Sequence, residues 1–231
     1  MLAPEFIPVW GGVGTYILEL LKHLPNQYEV HVITPMRQSF GNDEAIQDRE
    51  IPNYFKSNVK IHYISTASDT FFYNARFQYE CFRQVPNILK SEKIDLIHTH
   101  TAHMPDLLLM FRKLNKPIIT TVHSTIKTQR LATQFSKKSF SNMERSEQAT
   151  YLAYPALRLS EEIYYRKKRL FVSPSNWMKQ WLINSFHINS DNISVIPNSV
   201  DLNDYESENS TILEKMFPEN ILKDKKIILF V

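Results

Sequence analysis

The sequence predicts an α/β protein built on a doubly wound parallel sheet. Short β-branched runs alternate with helix-length segments along its 231 residues, and several of those runs are apolar on both faces, as Leu96-Ile97 and Ile118-Ile119 show. A 43% share of hydrophobic residues is enough to build the core such a sheet needs.

The elements follow in chain order. Val13, Ile17, Leu20, Leu21 and Leu24 have the spacing of a helix with one buried stripe, and Pro25-Asn26 ends it. Tyr28 to Thr34 reads as a strand closed by Pro35, and similar runs recur at Val59–Ile64, Ile94–His98, Pro117–His123, Arg169–Ser173 and Ile193–Ile196. Between them, Thr70–Ser91, Pro105–Leu114, Ser139–Lys168 and Ser175–Phe186 have helical length. Ser175 is placed to cap the last of these, where Trp177, Trp181 and Leu182 share a face. The aromatic run from Phe71 through Phe77, Tyr79 and Phe82 reads as packing, with stacking on a sugar or contact with lipid as the alternatives.

A first strand is expected ahead of Gly11, although only Met1, Leu2 and Ala3 precede Pro4. At the other end, Ile227 to Val231 reads as a buried strand with no successor, after a stretch rich in Ser, Asn, Asp and Glu. The expected organisation is one domain over 1–196, a linker over 197–225 and the first strand of a truncated second domain over 226–231.

Composition removes several function classes. With 27 basic and 24 acidic residues mixed along the chain, no electrostatic footprint for nucleic acid is visible. The richest basic stretch, Lys127 to Arg145, reads as a solvated helical face. Cys81 is the sole cysteine, which rules out an internal disulfide or a Cys-based metal cage and fits a cytoplasmic protein. No apolar run approaches the ~18 residues that span a bilayer, so membrane contact is expected only as peripheral association at the inner face.

In a doubly wound sheet, ligands sit at the carboxyl ends of the strands. Two groups of residues fall there. The chain has four glycines, where average usage gives about sixteen, and Gly11, Gly12 and Gly14 cluster between the first strand and the first helix. Missing Cβ atoms let a ligand approach the backbone, and a helix N-terminus favours an anion, so a phosphate or diphosphate is the natural guest. The dinucleotide fingerprint lacks its third glycine, the second strand ends in Thr34-Pro35 without an acidic residue, and no Gly-Lys-Ser/Thr follows, so nicotinamide cofactors and P-loop chemistry do not fit. A tight turn without a ligand is the alternative.

The second group is His98, His100, His103 and His123. Imidazole at such an edge can act as a base, bond a sugar hydroxyl or bind metal. Metal lacks the support of any Cys, Asp or Glu within the cluster, and none is expected. His98 reads as a packed strand residue, His100 as either loop support or direct contact, and His123 as the foremost catalytic candidate with His100 beside it. Glu5, His103 and Ser124 complete the set as acceptor-binding or supporting residues.

Taken in order, Pro8 to Thr15, Glu29 to Thr34, Asp95 to His100, Thr121 to Ser124, Val172 to Ser175 and Ile193 to Asp201 resemble glycosyltransferase family 4. The resemblance implies the N-terminal half of a GT-B architecture: two Rossmann-like domains facing a cleft, retention of anomeric configuration and no obligatory metal. It also implies a sugar nucleotide as co-substrate in place of a cofactor, carrying UDP, GDP or ADP, and a carbohydrate or lipid-linked acceptor. The Gly11-Gly12 loop would approach the donor diphosphate, and His123 would lie near the transferred sugar. Ser199 departs from the family's Pro-Asn-Gly-Val-Asp pattern. The family's basic pair and glutamate belong to the second domain, so the chain alone is expected to be inactive. A non-catalytic module binding a phosphorylated or sugar ligand at Gly11–Gly14 is the main rival, and a sugar-phosphate isomerase or epimerase is a third reading.

Overall fold

Backbone hydrogen bonds around Leu2 join two groups of parallel strands into one sheet. The computed structural model describes residues 1–7, 11–37, 55, 58–68, 72–101, 104–135, 139–143, 145–167 and 169–199. Met1–Asn198 form one compact unit; the second unit, Ser199–Val231, lies beyond the described residues after Ser199, and with it the expected linker and final strand.

The elements are α1 (Gly12–His23), β1 (Val30–Arg37), β2 (Val59–Ala67), α2 (Phe72–Ser91), β3 (Ile97–Thr101), β4 (Ile118–Val122), α3 (Ile126–Phe135), α4 (Arg145–Tyr165), β5 (Leu170–Ser173), α5 (Asn176–Phe186) and β6 (Ile193–Val195). β1 pairs with β2, and β3, β4, β5 and β6 pair in that order, all in parallel. Leu2 bridges Ile33 on one side and Thr99 on the other, with its N–H donating to the His98 carbonyl at 2.8 Å. The short first strand expected from the sequence is therefore present as this bridge, and the strand order reverses beside it.

Alternation then sorts the core. Ala3 and Val32 point to the face covered by Val13, Ile17 and Leu21 of α1, whereas Leu2 and Ile33 point to the face covered by Phe77, Cys81 and Val85 of α2. Both faces are thus filled, as a doubly wound sheet requires. Burial pushes the Cys81 thiol well up. The aromatic run divides accordingly: Tyr73 and Phe77 are core, while Phe72 and Tyr79 are exposed. Phe71 lies outside the described residues.

Several boundaries differ from expectation. β1 continues past Pro35 to Arg37, with a register shift between Thr34 and Pro35 where the missing N–H interrupts the ladder. β3 starts three residues later than read, because Ile97 is the first residue to pair, with Ile118, and its successors His98 and Thr99 find side-chain partners on β4. There Thr99 Oγ1 meets Thr120 Oγ1 at 3.1 Å and His98 Nε2 meets Thr121 Oγ1 at 2.8 Å. The basic stretch begins in α3, a helix not separately foreseen, and the long helix starts at Arg145, after a 3-10 turn at Phe140–Asn142. In α5, Ser175 Oγ accepts from the Met178 N–H at 3.1 Å as expected, but the buried stripe is Met178, Leu182 and Phe186, and Trp177 stays 61% exposed.

The helix expected over 105–114 is instead a series of turns with a 3-10 turn at Leu109–Phe111. Its buried Asp106 explains this. The carboxylate accepts from the Tyr164 hydroxyl at 2.6 Å and from Arg169 Nη1 at 2.7 Å, and Arg169 also reaches Thr120 Oγ1 at 3.1 Å. Both members of the ion pair are nearly inaccessible, so each charge depends on the other for compensation. Asp106→Ala should therefore cost about 3–5 kcal/mol in urea denaturation, and adding Arg169→Met should recover much of that loss. A double variant no more stable than Asp106→Ala alone would contradict the account.

Candidate active site

The strand order reverses beside Leu2, the place where ligands sit in doubly wound sheets, and residues from both sides of that point lie at the carboxyl edge of the sheet. On one side the chain leaves Leu2 through Glu5 and returns at Gly11 to start α1. On the other, β3 ends in His100 and Thr101, and His123 follows β4.

Gly11 is extended, a conformation open to any residue; a Cβ there would meet the Glu5 carboxylate, the movable end of that side chain, which would have to shift aside. A Cβ on Gly12 would meet nothing within 4 Å, leaving that backbone open to a ligand. Gly14 differs: it is buried, and its Cβ position lies 3.4 Å from the Glu5 and Phe6 carbonyl oxygens. Gly11 and Gly12, rather than Gly14, border the open edge.

One turn along α1 stands Tyr16, a residue the sequence reading passed over. Its ring meets His123 edge-on at 4.8 Å between centroids and His100 at 5.7 Å. Its hydroxyl bonds the Thr121 side chain, which also bonds His98. The position one turn beyond the glycines was the available signal, but an aromatic residue on a helix otherwise read by its aliphatic stripe carries little weight.

His100 Nδ1 and His123 Nε2 lie 3.3 Å apart with their rings stacked, so one imidazole donates to the other. His100 Nε2 is buried with no hydrogen-bond partner among the described residues. A buried lone pair costs less than a buried orphan N–H, which favours the proton on His100 Nδ1, donated to His123. His123 then keeps its own hydrogen on Nδ1.

Desolvation lowers the pKa of His98 and of His123 to about 4, and that of His100 well below its ordinary value. The Glu5 carboxylate offsets part of the effect at His123. All three rings are therefore neutral at pH 7, and the edge presents imidazole hydrogen bonds in place of cations. Ser124 Oγ accepts from Gln129 Nε2 at 3.0 Å, fixing the turn into α3. The structure thus places Glu5 against Gly11 and close enough to His123 to act on its charge, and sets His100 beside His123. His103 lies outside the described residues. Among the described residues no three His, Cys, Asp or Glu side chains are arranged to hold a metal ion, and no helix is long and apolar enough to cross a membrane.

Comparison with known proteins adds one finding. The model of Glycosyltransferase Family 4 matches residues 10–204, a span that contains the glycine turn, Tyr16 and every histidine of the edge. No curated protein matches the chain.

The buried imidazoles set a pH dependence. Above pH 6.5 the folded and unfolded chains both keep them neutral, and their contribution to stability is complete. Below 6.5 the unfolded chain takes up protons that the folded chain refuses until about pH 4, so stability falls as pH falls through that window. His98 and His123 should each account for about 3 kcal/mol of the loss. His123→Gln should remove its share of the difference between pH 7 and pH 4, read from urea midpoints; an unchanged difference would refute the assignment.

Gly11→Ala should cost only about 1 kcal/mol, because the displaced carboxylate is the movable end of Glu5. It should also extend the acid-sensitive window to lower pH, since His123 loses the partial support of Glu5. Urea midpoints measured across pH would show an unaltered window if Glu5 did not act on His123.

Proposed function

Because this chain belongs to glycosyltransferase family 4, we propose that it forms the acceptor-side lobe of a retaining hexosyltransferase. The enzyme moves a hexose from a UDP-, GDP- or ADP-sugar to a sugar, glycan or lipid-linked acceptor. The observation that carries this reading is the meeting of the glycine turn with His123 at one edge, through Glu5 and Tyr16.

In this reading the backbone at Gly11-Gly12 lies against the donor diphosphate at the start of α1, where amide dipoles favour an anion. His123 bonds a hydroxyl of the transferred sugar through its Nδ1–H. A neutral imidazole with its pKa near 4 is a poor base at pH 7, so its contribution is orientation and hydrogen bonding as the diphosphate departs. His100 is a positioning residue that holds the tautomer of His123, and Tyr16 supports both rings. The proposed organisation keeps a lobe over 1–196 and a linker over 197–225, with a second lobe supplying the cations that neutralise the diphosphate.

The test measures turnover of a panel of sugar nucleotides by the intact protein and its His123→Asn variant. One donor should be consumed, and the variant should lose about 10²–10³ in kcat with a smaller change in KM. A ligand bound without turnover would favour the binding-module reading. Conversion of a sugar phosphate without any nucleotide donor would favour an isomerase or epimerase. Unchanged kcat in His123→Asn would remove His123 from the chemistry.

A further inference from the structure

At the amino edge of the sheet, opposite the candidate active site, lies a hollow of about 460 Å³. Its walls come from the connection between β3 and β4, the entry to β5 and Asn192 ahead of β6. Ile118 and Leu170, the first residues of β4 and β5, line it, whereas His123 follows the last residue of β4. The five residues of β4, at about 3.3 Å each, set roughly 17 Å between the two edges. The hollow is therefore separate from the glycine turn and the histidines.

Four cationic residues line it, Arg112, Lys116, Lys167 and Arg169, and among the described lining residues none is Asp or Glu. Arg169 is nearly inaccessible and is neutralised by Asp106 at 2.7 Å. The other three make no ion pair among the described residues, and none of them is buried. Ring faces hold two of these: Arg112 Cζ lies 3.9 Å from the Phe82 centroid, and Lys167 Nζ lies 5.8 Å from that of Phe111. A ring face attracts a cation without supplying the oxygen acceptors its N–H groups seek. Three like charges gathered around a concave surface raise its potential and favour an anion.

The remaining wall decides what carries that anion. Leu109, Leu114, Pro117, Ile118 and Leu170 are apolar, and an inorganic ion would leave them facing water. The volume falls in the range of about 300–1,000 Å³ typical of small-molecule sites. The cations come from two connections and line a hollow, which selects a molecule small enough to enter it over a bilayer surface.

We propose that this hollow binds a soluble organic phosphate, a phosphate monoester on an apolar body, at a site distinct from the candidate active site. The phosphate sits among Arg112, Lys116 and Lys167, and the body packs on Leu114, Ile118 and Leu170. The assignment is independent of the glycosyltransferase reading, so either can fail alone.

Binding of 1-naphthyl phosphate, 1-naphthol and inorganic phosphate to the intact protein, followed by calorimetry at fixed ionic strength, tests it. The naphthyl phosphate should bind at least tenfold more tightly than either other probe. Arg112→Gln combined with Lys116→Gln should lose at least tenfold of that affinity, and Leu170→Glu, which sets a carboxylate among the cations at a half-exposed position, should abolish binding. Equal affinity for inorganic phosphate or for 1-naphthol would overturn the proposal, as would unchanged binding in these variants. Affinity lost in His123→Asn but kept in Arg112→Gln/Lys116→Gln would move the ligand to the carboxyl edge. Binding to phosphatidylglycerol vesicles that naphthyl phosphate does not displace, with no binding of the soluble probe, would make this a membrane-facing patch and sink the small-molecule site.

Discussion

Hydrogen bonds from three consecutive backbone positions decide the geometry of this protein. Ile33 donates to Met1, Ala3 donates to Ile33, and Leu2 donates to His98, so a segment too short to be a strand in its own right joins β1 to β3. Without it the sheet would be two separate pieces. With it, connections run outward in both directions from Leu2, leaving the carboxyl edge uncovered where the order reverses. Glu5 and Gly11 reach that edge from one side, and His100 and His123 from the other. The site is thus a product of topology before it is a product of side chains.

Desolvation then sets its chemistry. Three imidazoles within ring contact would repel one another if protonated, and burial already disfavours the charged form. Both effects act in the same direction, so the cluster is a set of neutral donors and acceptors in which each proton position constrains the next. Glu5 opposes this only at His123, the member nearest the opening. Such an arrangement discriminates by hydrogen-bond direction, which suits a polyhydroxylated guest better than a highly charged one.

Much of this was legible in the sequence, for identifiable reasons. The alternation of strands and helices and the crowding of three glycines ahead of α1 are local patterns, and local patterns survive folding. What escaped the reading depends on partners distant in the chain. Thr99 and His100 fall outside the strand read from the sequence, and only pairing with Thr120 and Thr121 of β4 puts them inside the sheet. Asp106 looked like part of a helix because nothing local announces Tyr164 and Arg169, some sixty residues away. Arg130 looked like one basic residue among many, since a solvated cation and one stacked on tyrosine rings are spelled alike. Tyr16 had a positional cue, but its meaning required the histidines to arrive beside it.

The indole of Trp181 has a consequence for how this molecule can be watched. Its Nε1–H donates to Thr125 Oγ1 at 3.2 Å, its ring stacks on Trp177, and Lys127 Nζ lies 5.1 Å from the ring centroid. Thr125 is two residues beyond His123, on the turn that leads into α3. An intrinsic chromophore is therefore tied to the turn that follows His123, so a displacement of that turn would alter the surroundings of the indole, with no dye attached.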